Sequence, residues 1–242
     1  MDIYTYADFN IELKGDESPL TKADIASHDV IVKYLNETGI PVLSEEGKDL
    51  PYSERKDWNT LWIVDPIDGT KEFIKKNGEF TVNIALVENG LPILGVVLAP
   101  ALDVLYYGAK GIGSFKVDLS KGSDMESILK NGTALPMDRK DGKYVAVASR
   151  SHMSEETVDF ITDLEKEHGT VETVSMGSSL KICLVAEGVA DCYPRFAPTM
   201  EWDTAAGHGL VAAAGKTLID WETKQEMQYN REKLLNNWFL VQ

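Results

Sequence analysis

The stretch Leu61-Trp62-Ile63-Val64-Asp65-Pro66-Ile67-Asp68-Gly69-Thr70 changes character at its midpoint. Residues 61–64 are apolar, β-branched or aromatic, which reads as a buried strand that stops at Asp65 in a charged loop. Two carboxylates then stand three positions apart, Asp65 and Asp68. Pro66 blocks a regular ladder and Gly69 permits a tight turn. Both acids and the intervening Ile67 carbonyl can therefore converge on one hard cation, which prefers oxygen ligands. The same residue types also build ordinary acidic β-turns, so the hexapeptide alone leaves both readings open.

Working outward, residues 41–43 form a second short apolar strand, which runs into Glu45-Glu46, and Asp203 precedes a small-residue helix expected over 204–214. Both positions suit the edges of one cleft, and clustered acids repel unless a cation joins them. Glu45-Glu46 reads equally as a solvated loop, and Asp203 as a plain helix N-cap. Upstream, the span 18–35 predicts a helix with Ile25, Val32 and Leu35 on one face, Thr21 as N-cap and Asp24 at the third helical position. Strands over 80–87 and 92–99, joined by Glu88-Asn89-Gly90, and a third over 104–107 predict an antiparallel meander.

The stretch 118–141 has weak periodicity and is the expected boundary between an N-terminal half, 1–135, carrying the acids, and a C-terminal half, 136–242. The halves are expected to form one compact unit. After the boundary the pattern reads strand 144–148, helix 155–168 between Ser154 and Gly169, and strand 171–174. It continues with helix 180–187 ended by Gly188, strand 191–196, the small-residue helix, and strand 216–220. Alternating layers of sheet and helix follow.

Composition narrows the function. The 242 residues are 43% hydrophobic and 26% charged, a globular balance. The longest uncharged apolar runs, 81–87 and 91–102, fall short of the ~20 residues of a membrane helix. A net charge of −15 repels polymeric nucleic acid and anionic lipid. A small phosphorylated substrate stays admissible, because a bound divalent cation inverts the local sign. Cys183 and Cys192 lack metal spacing and read as buried reduced thiols. The start Met1-Asp2-Ile3-Tyr4 shows no export signal, so a cytoplasmic location is expected.

Three separated motifs, Glu45-Glu46, Asp65-Pro66-Ile67-Asp68-Gly69-Thr70 and Trp202-Asp203-Thr204-Ala205-Ala206-Gly207, resemble those of the inositol-monophosphatase-like, lithium-sensitive, magnesium-dependent phosphatases. Further segments are similar to the bacterial CysQ branch, the 3′(2′),5′-bisphosphate nucleotidases. They are Lys71-Glu72-Phe73-Ile74, Asn77-Gly78-Glu79-Phe80-Thr81-Val82-Asn83, Ser149-Arg150-Ser151-His152, Gly177-Ser178-Ser179-Leu180-Lys181 and Tyr193-Pro194-Arg195-Phe196. The resemblance runs from Ser18 to the C-terminal strand.

It implies an α+β fold, a layered α-β-α-β-α sandwich. Glu45, Asp65, the Ile67 carbonyl, Asp68 and Asp203 would hold Mg2+, two or three ions per site, against the scissile phosphate, in the manner of a multi-metal phosphatase. The catalytic set it implies is Asp24, Thr70 and Glu45, with Thr70, paired to Asp24, orienting or deprotonating the attacking water. The amides of Gly69 and Thr70 would cradle phosphate. Thr70 reads alternatively as an N-cap. Substrate-binding residues carried over are Asp68, Gly69, Thr70, His152, Gly177, Ser178, Lys181, Arg195 and Asp203. A second phosphate needs donors such as Lys181 and Arg195. The plainer readings are a snorkelling Lys181, an Arg195 paired to a surface acid, and a structural His152. Trp62 and Trp202 read as packing, and Lys71, Lys75 and Lys76 as a solvated helix face.

The activity so implied is removal of the 3′-phosphate of adenosine 3′,5′-bisphosphate to give AMP in sulfur assimilation, with the activated sulfate donor as a further substrate, by a monomer or homodimer. The alternatives are an inositol or sugar phosphate phosphatase, or a non-catalytic metal- and nucleotide-binding protein. Family members carry about twenty residues of amphipathic helix before the segment matching Met1-Asp2-Ile3-Tyr4; its absence is expected to uncover apolar surface, lowering stability or promoting oligomers.

Overall fold

The computed structural model describes residues 1–6, 12–13, 19–20, 22–148 and 153–242. Thr21 and Ser149 to His152 lie outside the described residues, and with them the expected N-cap and the expected His152 contact.

The meander is the core of a seven-stranded sheet. Its strands, in spatial and chain order, are Val42–Ser44, Thr60–Asp68, Thr81–Glu88, Leu91–Ala99, Val104–Ala109, Gly113–Asp118 and Thr133–Leu135. The first pair is parallel and the others antiparallel. Asn89 and Gly90, at φ 51° and 79°, make the tight turn between the third and fourth strands. The expected boundary stretch is partly ordered: it holds the helix Met125–Asn131, capped by Asp124, and the last strand of this sheet. Those elements are short, seven and three residues, which hid them from a periodicity reading.

Strand alternation splits the sheet into two unlike faces. Asn83, Ala85, Val87, Val97 and Ala99 are all within 1% of full burial, beneath the helices Leu180–Glu187 and Glu201–Ala213. The opposite face, with Val82, Ile84, Leu86 and Leu98, is half-buried, and the helix Lys22–Asn36 packs beside it against the strands Thr60–Asp68 and Val42–Ser44. That helix starts where expected, with Asp24 at its third position, but turns differently: Ala23 and Asp24 are buried and Ile25 is exposed. An apolar groove of about 500 Å³ opens here, lined by Met1, Ile3, Tyr4, Val30, Val82 and Leu98 among others. Tyr4 packs its ring 5.1 Å from Phe73 and 5.0 Å from Phe80.

The small-residue helix earns its composition by backbone contact. A Cβ on Gly95 would sit 2.1 Å from the Ala206 carbonyl oxygen, and one on Gly209 would sit 2.9 Å from Gly95 N, so helix and strand touch without side chains between them. Beyond the helices lies a second layer of strands. Tyr144–Val147 pairs in parallel with Val171–Val174, and Tyr193–Arg195 and Leu218–Asp220 flank Phe239–Val241. Helix Glu155–His168, capped by Ser154 Oγ on Thr157 N at 3.3 Å, covers its outer side through Phe160, Ile161 and Leu164. The order is helix, sheet, helix, sheet, helix, the layered sandwich that the family resemblance implies. Among the described residues, no helix is long and apolar enough to cross a membrane.

Candidate active site

The acidic hexapeptide is not a loop after a strand. The strand continues to Asp68, and its pairing with Thr81–Glu88 slips between Asp65 and Asp68. Pro66 cannot donate to the ladder, so the chain bulges, and Asp65 Oδ1 accepts the Ile67 N–H at 3.0 Å to close the bulge. Ser27 Oγ of the first long helix donates to the Pro66 carbonyl at 2.9 Å, tying that helix to the bulge. Gly69, at φ 88°, turns the chain into the helix Thr70–Lys75. Gly69 is itself the N-cap, so the Thr70 hydroxyl is not used for capping. It donates toward Asp24 Oδ1 at 3.3 Å and the Ile67 carbonyl at 3.4 Å. The expected Asp24–Thr70 pair therefore exists.

Asp203 also sits differently from the expectation. The helix begins at Glu201, so Asp203 is its third residue and not its N-cap; its Oδ2 accepts the Met200 N–H at 2.8 Å. Asp68 Oδ2 accepts from Ser179 Oγ at 2.7 Å, and the same hydroxyl lies 2.8 Å from the Asp203 carbonyl oxygen. Asn83 Nδ2 donates to Ser179 Oγ at 2.9 Å and reaches toward Asp68 Oδ2 at 3.4 Å; Thr81 Oγ1 is 3.5 Å from that same oxygen. Ser179, Asn83 and Thr81 are the site residues that sequence reasoning missed as such. Their signal was a polar side chain on the buried face of an otherwise apolar strand or helix start.

The acids feel one another. Burial, then the charges of Glu45, Asp68 and Asp203, push the Asp65 carboxyl well above its ordinary range. Burial first, then Asp68, pushes Asp203 up to about 8, with Arg195 opposing. Among the described residues, no three acidic, histidine or cysteine side chains already surround a single ion position. The donor set nonetheless fits a hard divalent cation. Four carboxylates, Glu45, Asp65, Asp68 and Asp203, share one neighbourhood, and Arg195 opposes their repulsion at Asp203. Among the described residues, Asn83 Oδ1 is a buried acceptor without a hydrogen-bond partner on a residue that also reaches toward Asp68, and it can meet a cation's water, whereas the equally unpartnered Arg195 Nε is a donor suited to an anion or water. Unsatisfied buried polar atoms are rare and mark places where water or an ion completes the structure.

Next to the acids is a small cavity of about 100 Å³ lined by Asp68, Ser178, Asp203 and Thr199, and beyond it a cleft of about 570 Å³. Lys181, Tyr193 and Arg195 line both. Lys181 Nζ donates to the Met176 carbonyl at 3.3 Å, and Arg195 Nη2 to the Pro198 carbonyl at 3.3 Å, so each of these two bonds ends on a backbone carbonyl and not on an acid. Gly177 lines the cleft, and a Cβ there would lie 2.6 Å from the Glu79 carbonyl oxygen, so close packing alone already requires a glycine. Ser178, at φ 44°, is 3.2 Å from Thr81 through its hydroxyl. Cys183 and Cys192 are free and buried, as expected.

The inositol monophosphatase family profile matches residues 1–240, and the chain belongs to that family. Within it, the chain is 48% identical over 232 residues to the 3′(2′),5′-bisphosphate nucleotidase CysQ of Salmonella typhimurium, covering 94% of this chain and 87% of that protein. It is 46% identical over 246 residues to the CysQ nucleotidase of Escherichia coli O157:H7, covering 100% and 92%. The crystal structure of CysQ from Bacteroides thetaiotaomicron, a bacterial member of the family, superposes with a TM-score of 0.89 at 51% identity, covering 100% of this chain and 90% of that one. The resemblance to the bisphosphate nucleotidase branch drawn from the motifs is borne out.

Proposed function

We propose that this protein is a magnesium-dependent 3′(2′),5′-bisphosphate nucleotidase, converting adenosine 3′,5′-bisphosphate to AMP and phosphate, with the activated sulfate donor as a further substrate. The observation that carries the reading is one continuous path. Buried acids open through the Asp68–Asp203 cavity, past Lys181 and Arg195, into a cleft large enough for a nucleotide. Glu45, Asp65, the Ile67 carbonyl, Asp68 and Asp203 would hold the ions. Bound there, magnesium supplies Lewis-acid polarisation of the phosphate and lowers the pKa of water.

The chain's own residues supply the rest. Asp24 accepts the Thr70 hydroxyl proton in a hydrogen bond, which leaves the Thr70 lone pairs to orient the attacking water and Asp24 to take its proton. Asp68 is held in a single orientation by Ser179. Lys181 and Arg195 bind the phosphate that does not react, Arg195 through its unpartnered Nε. The bare acids would repel that substrate, so the cations at the cavity's edge and the ions together set the sign of the field. The two buried thiols and the acidic surface support a cytoplasmic location.

Phosphate release measured with magnesium on adenosine 3′,5′-bisphosphate and on inositol 1-phosphate tests the reading. The bisphosphate is expected to react faster, and faster turnover of inositol 1-phosphate overturns the proposed substrate. Asp68→Asn is expected to lower kcat by about 10³ or more, on the scale of removing one well-placed electrostatic group, with an unchanged circular dichroism spectrum.

A further inference from the structure

Met200, the N-cap of helix Glu201–Ala213, offers no side-chain cap of its own, and the local bond at this turn is the one from its N–H to Asp203 Oδ2 at 2.8 Å. The rest of what holds the turn comes from about thirty residues downstream. Glu201 is completely buried, and its carboxylate accepts the backbone N–H of Asn230 at 2.7 Å, that of Arg231 at 3.0 Å and Arg231 Nε at 3.1 Å. Arg231 Nη2 donates onward to Asn236 Oδ1 at 2.7 Å. Asn236, 6% exposed, then spends its amide on the turn itself: Nδ2 meets the Met200 carbonyl at 2.7 Å, Thr204 Oγ1 at 3.0 Å and Thr199 Oγ1 at 3.1 Å.

Met200 is the link to the acids. Its carbonyl is gripped by Asn236, it bridges Leu235 in antiparallel fashion, and its N–H is the donor that fixes Asp203 Oδ2 at 2.8 Å. The Glu201 N–H also donates to the Leu234 carbonyl at 2.9 Å. The segment 230–236 is in turn anchored by Arg55, 2% exposed, whose guanidinium donates to Asn230 Oδ1 at 3.0 Å, the Arg231 carbonyl at 2.7 Å and the Glu232 carbonyl at 3.0 Å. A chain of hydrogen bonds, those of the two arginines charge-assisted, thus runs from buried Arg55 to Met200, whose carbonyl Asn236 holds and whose N–H, in the preceding peptide group, meets the candidate ligand Asp203.

We propose that Arg231 and Asn236 are positioning residues of the metal site: by holding Met200 they aim Asp203 at the other acids, and so set the affinity of the ion that Asp203 shares. The inference rests on the reading of Asp203 as a metal ligand. Outer partners of a ligand carboxylate tune affinity in this way because they remove the orientational freedom that binding would otherwise have to restrict. Neither residue lines the cavity or the cleft, so their effect travels through the turn they hold, Thr199, Met200, Glu201 and Thr204.

The test is a Mn2+ titration of the full chain without substrate, read from the electron paramagnetic resonance signal of free Mn2+. Asn236→Ala is expected to weaken the affected ion about tenfold, the usual scale for losing an outer partner. Arg231→Lys, which keeps the charge and removes the fork, shifts affinity in the same direction by less and carries the test if the alanine variant does not fold. Arg139→Ala is the stability control. Arg139 staples the Val189 carbonyl at 2.7 Å and the Lys143 carbonyl at 2.6 Å, away from the acids, and its loss is expected to lower Tm without changing Mn2+ affinity. In activity assays the magnesium concentration for half-maximal rate should rise in Asn236→Ala while kcat at saturating magnesium recovers. Wild-type Mn2+ affinity in both Asn236→Ala and Arg231→Lys, or equal weakening in Arg139→Ala, overturns the proposal. Asp203→Asn separates the two claims: if it binds Mn2+ as tightly as wild type, the ligand reading itself falls, and the positioning role with it.

Discussion

The two faces of the seven-stranded sheet are made from the same strands and nearly the same residue types, yet they are packed unlike one another. On one face Asn83, Ala85, Val87, Val97 and Ala99 lie within 1% of full burial against helices that touch the backbone. On the other, Val82, Ile84, Leu86 and Leu98 are half-buried beside an apolar groove. The candidate acids gather at the rim of the tight face, where Asn83 and Thr81 emerge toward Asp68. Rigid packing on that side gives the carboxylates fixed positions despite their mutual repulsion; the looser side carries Asp24 on a helix held to the bulge by Ser27.

The comparison can be broken in order of expected effect. Gly95→Ala puts a methyl 2.1 Å from the Ala206 carbonyl oxygen, a backbone atom that cannot step aside. It should cost more than about 4 kcal/mol, the range of severe core disruptions, and be seen as loss of the cooperative thermal transition. Val87→Ala and Val82→Ala remove the same atoms from opposite faces. About 2–3 kcal/mol is expected for Val87, where a cavity remains, and about 1 kcal/mol or less for Val82, both from urea unfolding. Equal losses would mean that the groove is covered in solution and the faces are alike.

The smallest effect is a pH dependence. Asp203, raised to about 8 from 3.8, keeps a proton in the folded state that the unfolded chain has already released, and Asp65 is shifted in the same direction. The stability these groups contribute is complete below the unfolded pKa and is lost as pH rises through the folded one. With chelator present, Tm should therefore fall between about pH 6 and 8, and magnesium, which replaces the proton, should flatten that fall. A Tm that rises over this interval with chelator would contradict the burial of the acids on the tight face.

Local chemistry made several elements legible in advance. Helix Glu155–His168 between Ser154 and Gly169, strand Val171–Val174, and helix Leu180–Glu187 before Gly188 appear with the expected bounds, because caps and breakers act on neighbouring residues. The candidate acids were legible too, since Asp65, Asp68, Glu45 and Asp203 each stand out at the edge of an apolar element. Misreadings arose where a distant partner decides. The strand through Pro66 survives as a bulge only because Thr81–Glu88 pairs with it on both sides. The helix start at Glu201 depends on Arg231 and Asn236, and the inward face of the first long helix depends on what the sheet offers Ala23 and Asp24.

The family, the identity of the candidate acids and most helix and strand positions were already written along the chain, because motif order, alternation and capping are properties of neighbours. Tertiary structure alone decided how those acids meet. Asp68 and Asp203 are joined through one serine hydroxyl, Asp203 is aimed by residues near the C-terminus, and one sheet face is sealed while the other is not. Each of these depends on distances between segments remote in sequence, which hydrogen bonding and close packing settle only once the layers have come together.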